Sequence, residues 1–227
     1  MSKVNKDFFF KESHDLFYIL GLWASDGCVY RNTLQISLTD KDVIDWVAKT
    51  IEYTDEIKEI ENYGDFENPK DYVTSVSYFI RFNGKDIREV FNKYGIFANK
   101  SLTMEFPSNI PEKYLKDYIR GVFDGDGGIY IAERTINGRK YKRNKIHFTS
   151  GSKTFLEGLK QVVENRLGNN IKITKGTRCF IYAFESKSDV INFGKWIYED
   201  NKFGMSRKKE PISEIIKASQ NENKATA

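Results

Sequence analysis

The hydrophobic positions pass through helix, hairpin, helix, hairpin and helix, and then run through the same order again. Ile19, Leu22 and Trp23 recur at helical spacing. After Asp26-Gly27 the period drops to two. Leu34, Ile36 and Leu38 face one way and Thr33, Gln35 and Ser37 the other, beyond a turn at Arg31-Asn32. Helical spacing returns with Val43, Ile44, Trp46, Val47 and Ile51, capped by Thr39 or Asp40. The runs DEIKEIENY and YVTSVSYFIRF read as two more strands, and GKDIREVFNKYG as a closing helix.

The second copy begins with Ile119, Val122 and Phe123 on one helix face, after a bridge NIPEKYLKDY in which Pro111 suits the first helical position. Ile146 and Phe148 alternate with Lys145, His147 and Thr149 across a hairpin signalled by Asn137-Gly138. Ser152 can cap a helix with Phe155, Leu156, Leu159, Val162, Val163 and Leu167 on one face. NNIKITKG and CFIYAFES then read as strands, and KSDVINFGKWIYED as a helix. The expected fold is α+β: a duplicated αββαββα unit, each copy with one four-stranded antiparallel sheet, packed about a pseudo-two-fold axis. The boundaries fall at 1–106 and 107–218, with the polar residues 219–227 as a frayed tail.

The two first helices end alike. YILGLWASDGCVY and YIRGVFDGDGGIY share Tyr-Ile-x-Gly and stop on Asp-Gly. A glycine inside a helix costs about 1 kcal/mol against alanine. At matched positions, Gly21 and Gly121 suggest that the two helix backbones touch. Asp26 and Asp126 then meet at the negative ends of two helix dipoles, where carboxylates repel. A divalent cation reverses that penalty, because carboxylates, carbonyls and phosphates are what a hard cation takes. The small residues Ser25 and Gly125 leave room for a carbonyl or a substrate. One Asp-Gly is commonly a helix cap or turn; two in register within a full duplication point to chemistry.

Charge adds a partner class. Residues 1–110 hold 13 Lys+Arg against 18 Asp+Glu, and the remainder 23 against 14, so a net −5 precedes a net +9. The second half reads as a polyanion binder. Two isolated cysteines, Cys28 and Cys179, suit neither a zinc site nor a disulfide framework. With no membrane-length apolar run and no signal-peptide pattern, an intracellular protein is expected, in cytoplasm or an organelle.

Ile19 to Gly27 and Ile119 to Gly127 resemble the LAGLIDADG motif of homing endonucleases, the second more closely, since Ala24 stands where the motif has its earlier, usually structural, Asp. The likeness extends over about residues 13–218 and looks like the single-chain, two-motif branch. It implies a monomeric, site-specific DNA endonuclease of intron homing. Asp26 and Asp126, with Ser25 and Gly125, would bind Mg²⁺, with Mn²⁺ or Ca²⁺ able to replace it. Both strands of a long asymmetric site would be hydrolysed across the minor groove, leaving 3′ overhangs. It further implies a basic catalytic residue late in each copy: Lys100 and Lys208 by register, with Lys209 an alternative to the latter and plain surface lysines the bland reading. A water-ordering polar residue is usual after the second strand; here Leu38 and Ser150 stand there.

In this fold the sheets form a saddle on DNA, and the outward strand residues read the major groove. The candidates are Tyr30, Arg31, Asn32, Gln35, Ser37 and Arg81 in copy one. In copy two they are Tyr130, Arg134, Lys140, Lys142, Arg143, Lys145, His147, Lys172, Lys175 and Arg178. The acidic loop EIENYGDFENPKD is a poor phosphate binder. The same fold also serves RNA maturases that assist intron splicing, and regulators that bind DNA without cutting. The presence of both Asp26 and Asp126 favours the nuclease.

Overall fold

A computed structural model describes residues 3–63, 73–136, 138–200 and 203–225. A one-turn helix α1 (Asp7–Phe10) precedes α2 (His14–Ser25), β1 (Gly27–Tyr30), β2 (Thr33–Leu38), α3 (Lys41–Thr50), β3 (Lys58–Tyr63), β4 (Val73–Asn83) and α4 (Lys85–Lys93). A 3₁₀ turn at Lys100–Leu102 leads to α5 (Glu112–Asp126), β5 (Gly127–Ile136), β6 (Arg139–Ser150), α6 (Lys153–Leu167), β7 (Thr174–Lys175), β8 (Phe180–Phe184), α7 (Lys187–Tyr198) and α8 (Ser206–Ala225). The strands form two antiparallel sheets of identical order, β1-β2-β4-β3 and β5-β6-β8-β7. The molecule is thus a duplicated α+β unit.

The central helix pair explains the repeated motif. Every residue of α2 from Leu16 to Ala24 is buried, as is α5 from Asp117 to Asp124. Helices buried on all sides have no solvent face and form the core, in α5 with Asp117, Arg120 and Asp124 enclosed among the apolar residues. A Cβ on Gly21 would collide with the Tyr118 carbonyl oxygen, and one on Gly121 with that of Tyr18. The backbones therefore touch at both glycines, with the helices packed side by side and the sheets flanking them. Leu34, Ile36, Ile80 and Phe82 face this core from one sheet, and Ile146, Phe148, Tyr182 and Phe184 from the other. The buried side chains form one cluster spanning both repeats.

Local chemistry fixes several ends. Ser13 caps α2 by accepting from Leu16 N, and Ser152 caps α6 by accepting from Phe155 N. Asp40 occupies the cap position of α3, but its carboxylate makes no cap bond. Pro111 lies one residue outside α5. Two elements differ from the sequence pattern. NNIKITKG contributes only the two residues of β7, and the expected frayed end at 219–227 continues as helix α8 to Ala225. Most of the acidic loop between β3 and β4, and Asn137, lie outside the described residues. Among the described residues no helix is long and apolar enough to cross a membrane.

Candidate active site

The helix pair ends where the repeats meet. Asp26 is the C-terminal cap of α2, and Asp126 is the last residue of α5. A Cβ on Gly125 would strike Asp26 Oδ2 and the Ser25 side chain. Gly125 thus lets the Asp26 carboxylate lie against the opposite helix. Both aspartates stay open to solvent on one side. Packing on the other sides raises both pKa values: Asp26 to about 6, by burial first and then by the Asp126 charge, and Asp126 by burial. Lys100 and Lys208 oppose each rise.

Both lysines are buried at this helix end. Lys100 Nζ donates to the carbonyls of Gly27 at 2.8 Å and Ser25 at 3.4 Å. Lys208 Nζ donates to those of Phe123 at 2.8 Å, Asp124 at 2.6 Å and Gly125 at 2.9 Å. Each ammonium thus sits on the terminal carbonyls of its own repeat's helix, where the dipole favours a cation. Burial depresses both pKa values, that of Lys208 to about 8. Lys208, not Lys209, holds the three carbonyls. The carbonyls of Ser25 and Gly125 both accept from these lysines.

Two carboxylates, flanking carbonyls and open solvent suit a divalent cation that a phosphate helps to hold. Among the described residues no cluster of three His, Cys, Asp or Glu side chains forms a closed metal cage. Such a cage is unnecessary where substrate oxygens complete the shell.

Behind the site the repeats differ. The fully buried Asp124 accepts from Tyr18 Oη at 2.7 Å, from Met205 N at 2.9 Å and from Tyr198 Oη. Tyr118 is the positional equivalent of Tyr18, but it faces a repeat with Ala24 in place of Asp124, and its buried hydroxyl has no partner among the described residues. At the water-ordering position, Leu38 is buried, and Ser150 Oγ accepts from Ser152 N.

The strand residues expected to face DNA spread along both sheets. Tyr30 and Tyr130 are exposed at equivalent places. Arg31 lies over the Tyr30 ring, and Asn32 Oδ1 accepts from Arg88. Arg81 Nε donates to Gln35 Oε1 at 2.6 Å, and Ser37 continues that row. In the second sheet Arg143 makes a two-pronged pair with Glu185, at 2.7 Å on each arm, and Lys145 approaches the same carboxylate at 3.5 Å. The His147 ring covers Gly128, and burial lowers its pKa. Lys172, Lys175 and Arg178 are exposed near the β7–β8 turn. Lys140 and Lys142 occupy strand positions of opposite parity to Arg143, Lys145 and His147. Their side chains and that of Arg134 lie outside the described set. Sequence reasoning missed Glu185 and Arg207 and read Asp40 only as a helix cap; their pairings cross long stretches of chain.

Solved structures share this architecture. Residues 113–195 match the LAGLIDADG-like domain family. The structure resembles the I-LtrWI LAGLIDADG homing endonuclease bound to target DNA, with a TM-score of 0.60, 12% identity, and 90% of each chain covered. The homing endonuclease I-WcaI bound to its DNA recognition sequence gives 0.62 at 14% identity, covering 90% of this chain and 91% of that one. I-SmaMI bound to an uncleaved DNA target with calcium ions gives 0.59 at 13% identity, covering 94% and 93%. In sequence, a DNA-directed RNA polymerase subunit Rpo1C of Methanocaldococcus jannaschii is 24% identical over 214 residues. The match takes in 94% of this chain and 22% of that protein, so the chain spans about a fifth of its curated relative.

Proposed function

We propose, since residues 113–195 match the LAGLIDADG-like domain family and the first repeat has the same strand order, that the chain is a site-specific endonuclease of double-stranded DNA that needs a divalent cation. The observation that carries this reading is the convergence of Asp26 and Asp126 at the touching helix ends, between two buried lysines. The molecule acts as a monomer with internal pseudo-two-fold symmetry on a long asymmetric site. No polymerase role is carried over from a relative matched over about a fifth of its length.

Asp26 and Asp126, with the carbonyls of Ser25 and Gly125, would hold Mg²⁺, and Mn²⁺ or Ca²⁺ could take its place. When bound, the metal polarises water and a phosphate oxygen. Each carboxylate orients one scissile phosphate, so two nicks across the minor groove make one break with 3′ overhangs. Lys100 and Lys208 offset the charge that gathers on each phosphate. The sheets read the major groove through Tyr30, Arg31, Asn32, Gln35, Ser37 and Arg81, and through Tyr130, Arg143, Lys145, His147, Lys172, Lys175 and Arg178. A maturase or a non-cutting regulator has no need of two opposed carboxylates.

The test is a plasmid bearing the intron-less junction of the host gene, with Mg²⁺ or with EDTA. Linear product is expected only with metal. Asp26→Asn and Asp126→Asn should bind and fail to make double-strand breaks. Full cleavage by either variant overturns their roles.

A further inference from the structure

The two lysines place most of their donors on helix carbonyls. An ammonium has three N–H groups, and Lys208 places them on three helix carbonyls, while Lys100 bonds two. Lys208 cannot grip a phosphate without leaving its helix end, and Lys100 keeps one donor for it. A third cation stands beside them. Arg207, in the first turn of α8, donates from Nε to Asp40 Oδ1 at 2.7 Å, crossing from the second repeat to the first. Beside it, Ser206 Oγ donates to Asp42 Oδ2 at 3.0 Å. Asp40 forgoes its own helix cap and is mostly covered, whereas Arg207 keeps 58% of its side chain exposed. The described bond uses one of five guanidinium N–H groups. Its charge acts on both Asp26 and Asp124. The equivalent residue before Lys100 is Asn99, neutral and in the left-handed region at φ 59°.

We propose that Arg207 is a phosphate-binding catalytic residue for one strand only: oriented by Asp40, its free amino groups grip the backbone phosphate lying against Asp26. A planar guanidinium matches two phosphate oxygens, and it sits where negative charge grows during cleavage. Asp40 fixes the fork from behind and is a positioning residue. At the equivalent position the first repeat has Asn99 and no such cation, so the two strands are cut with unequal help. This inference rests on the nuclease reading.

The experiment follows each strand separately on end-labelled target DNA. Asp26→Asn first identifies the strand whose phosphate faces Asp26, as the one left intact. Arg207→Gln should slow that strand roughly 100-fold and the other by less than about twofold, so nicked duplex accumulates. Arg207→Lys should recover part of the loss, and Asp40→Asn should slow the same strand less severely. Equal slowing of both strands with a lowered melting temperature would make Arg207 a structural pin and overturn the proposal. A binding arm in Ca²⁺ needs no cleavage. Arg207→Gln should reduce the slope of log affinity against log salt by about one, and the difference should vanish on DNA with a methylphosphonate at that phosphate. An unchanged slope also overturns the proposal. A wild type that binds but never cuts removes the nuclease reading, while the slope still decides the phosphate contact.

Discussion

Asp124 and Ala24 show how one residue sets a measurable asymmetry. Tyr18 gives its hydroxyl to a buried carboxylate, whereas Tyr118 buries a hydroxyl with no acceptor. Removing a partner from a buried charge costs about 1–3 kcal/mol, and removing an unsatisfied hydroxyl costs little or stabilises. Tyr18→Phe should therefore lower stability to urea by about that amount, while Tyr118→Phe leaves it unchanged or higher. Equal losses from both would contradict the pairing. Gly21→Ala should also destabilise, by about 1–3 kcal/mol, because its methyl meets a main-chain oxygen that can move only with α5. Asp26 adds a pH signature. Its pKa of about 6 in the fold lies above the ordinary 3.8, so the metal-free fold binds this proton more tightly than the unfolded chain does. Its contribution to stability is complete below about 3.8 and is lost as pH rises towards 6. Metal must displace the same proton. Calcium should therefore raise the melting temperature strongly at pH 7.5 and little at pH 5, which thermal scans at the two values would check.

At the scale of elements, the helices, the hairpins and the convergence of Asp26 with Asp126 were legible because each rests on local periodicity or on a repeat. Gly21 and Gly121 announced a close crossing because glycine has few other reasons to stand in a buried helix. Other features were not legible. The segment DFFF is too short to show a period, yet it closes the first core as α1. Ile212, Ile215 and Ile216 anchor α8 on the core; the polar run from Ser219 gives no apolar signal, yet it continues the helix. Ion pairs between distant residues leave no trace in spacing. Glu185 is such a case: at the end of β8 it holds Arg143 and Lys145 on the second sheet. Phosphate must compete with that carboxylate for both cations. Glu185→Gln should tighten DNA binding, by about 1 kcal/mol for an exposed pair, and should steepen the salt dependence. Weaker binding in a fluorescence anisotropy titration would mean that Glu185 orders the face for DNA instead of blocking it.

For the whole molecule, the single buried cluster means that neither repeat has a complete core. Cut apart, each would expose one face of its central helix, and the question is which exposed face can satisfy itself. In a symmetric pair of second repeats, Gly121 would meet Gly121, and each Asp124 would meet the partner's Tyr118 where it now meets Tyr18. The carboxylate would keep its cross-helix donor, and the idle Tyr118 hydroxyl would gain an acceptor. Two first repeats would bring Tyr18 against Ala24 and bury a hydroxyl on each side with nothing to bond. The contact from Arg207 to Asp40 would be lost in either pair, but it is an exposed bridge and weighs little against two buried ones. A chain of residues 107–225 should therefore form a folded dimer at micromolar concentration, whereas residues 3–106 should aggregate or stay partly unfolded. Light scattering and circular dichroism on the two halves would decide it. A folded monomer from either half would show that the helix pair is not the shared core its glycines indicate.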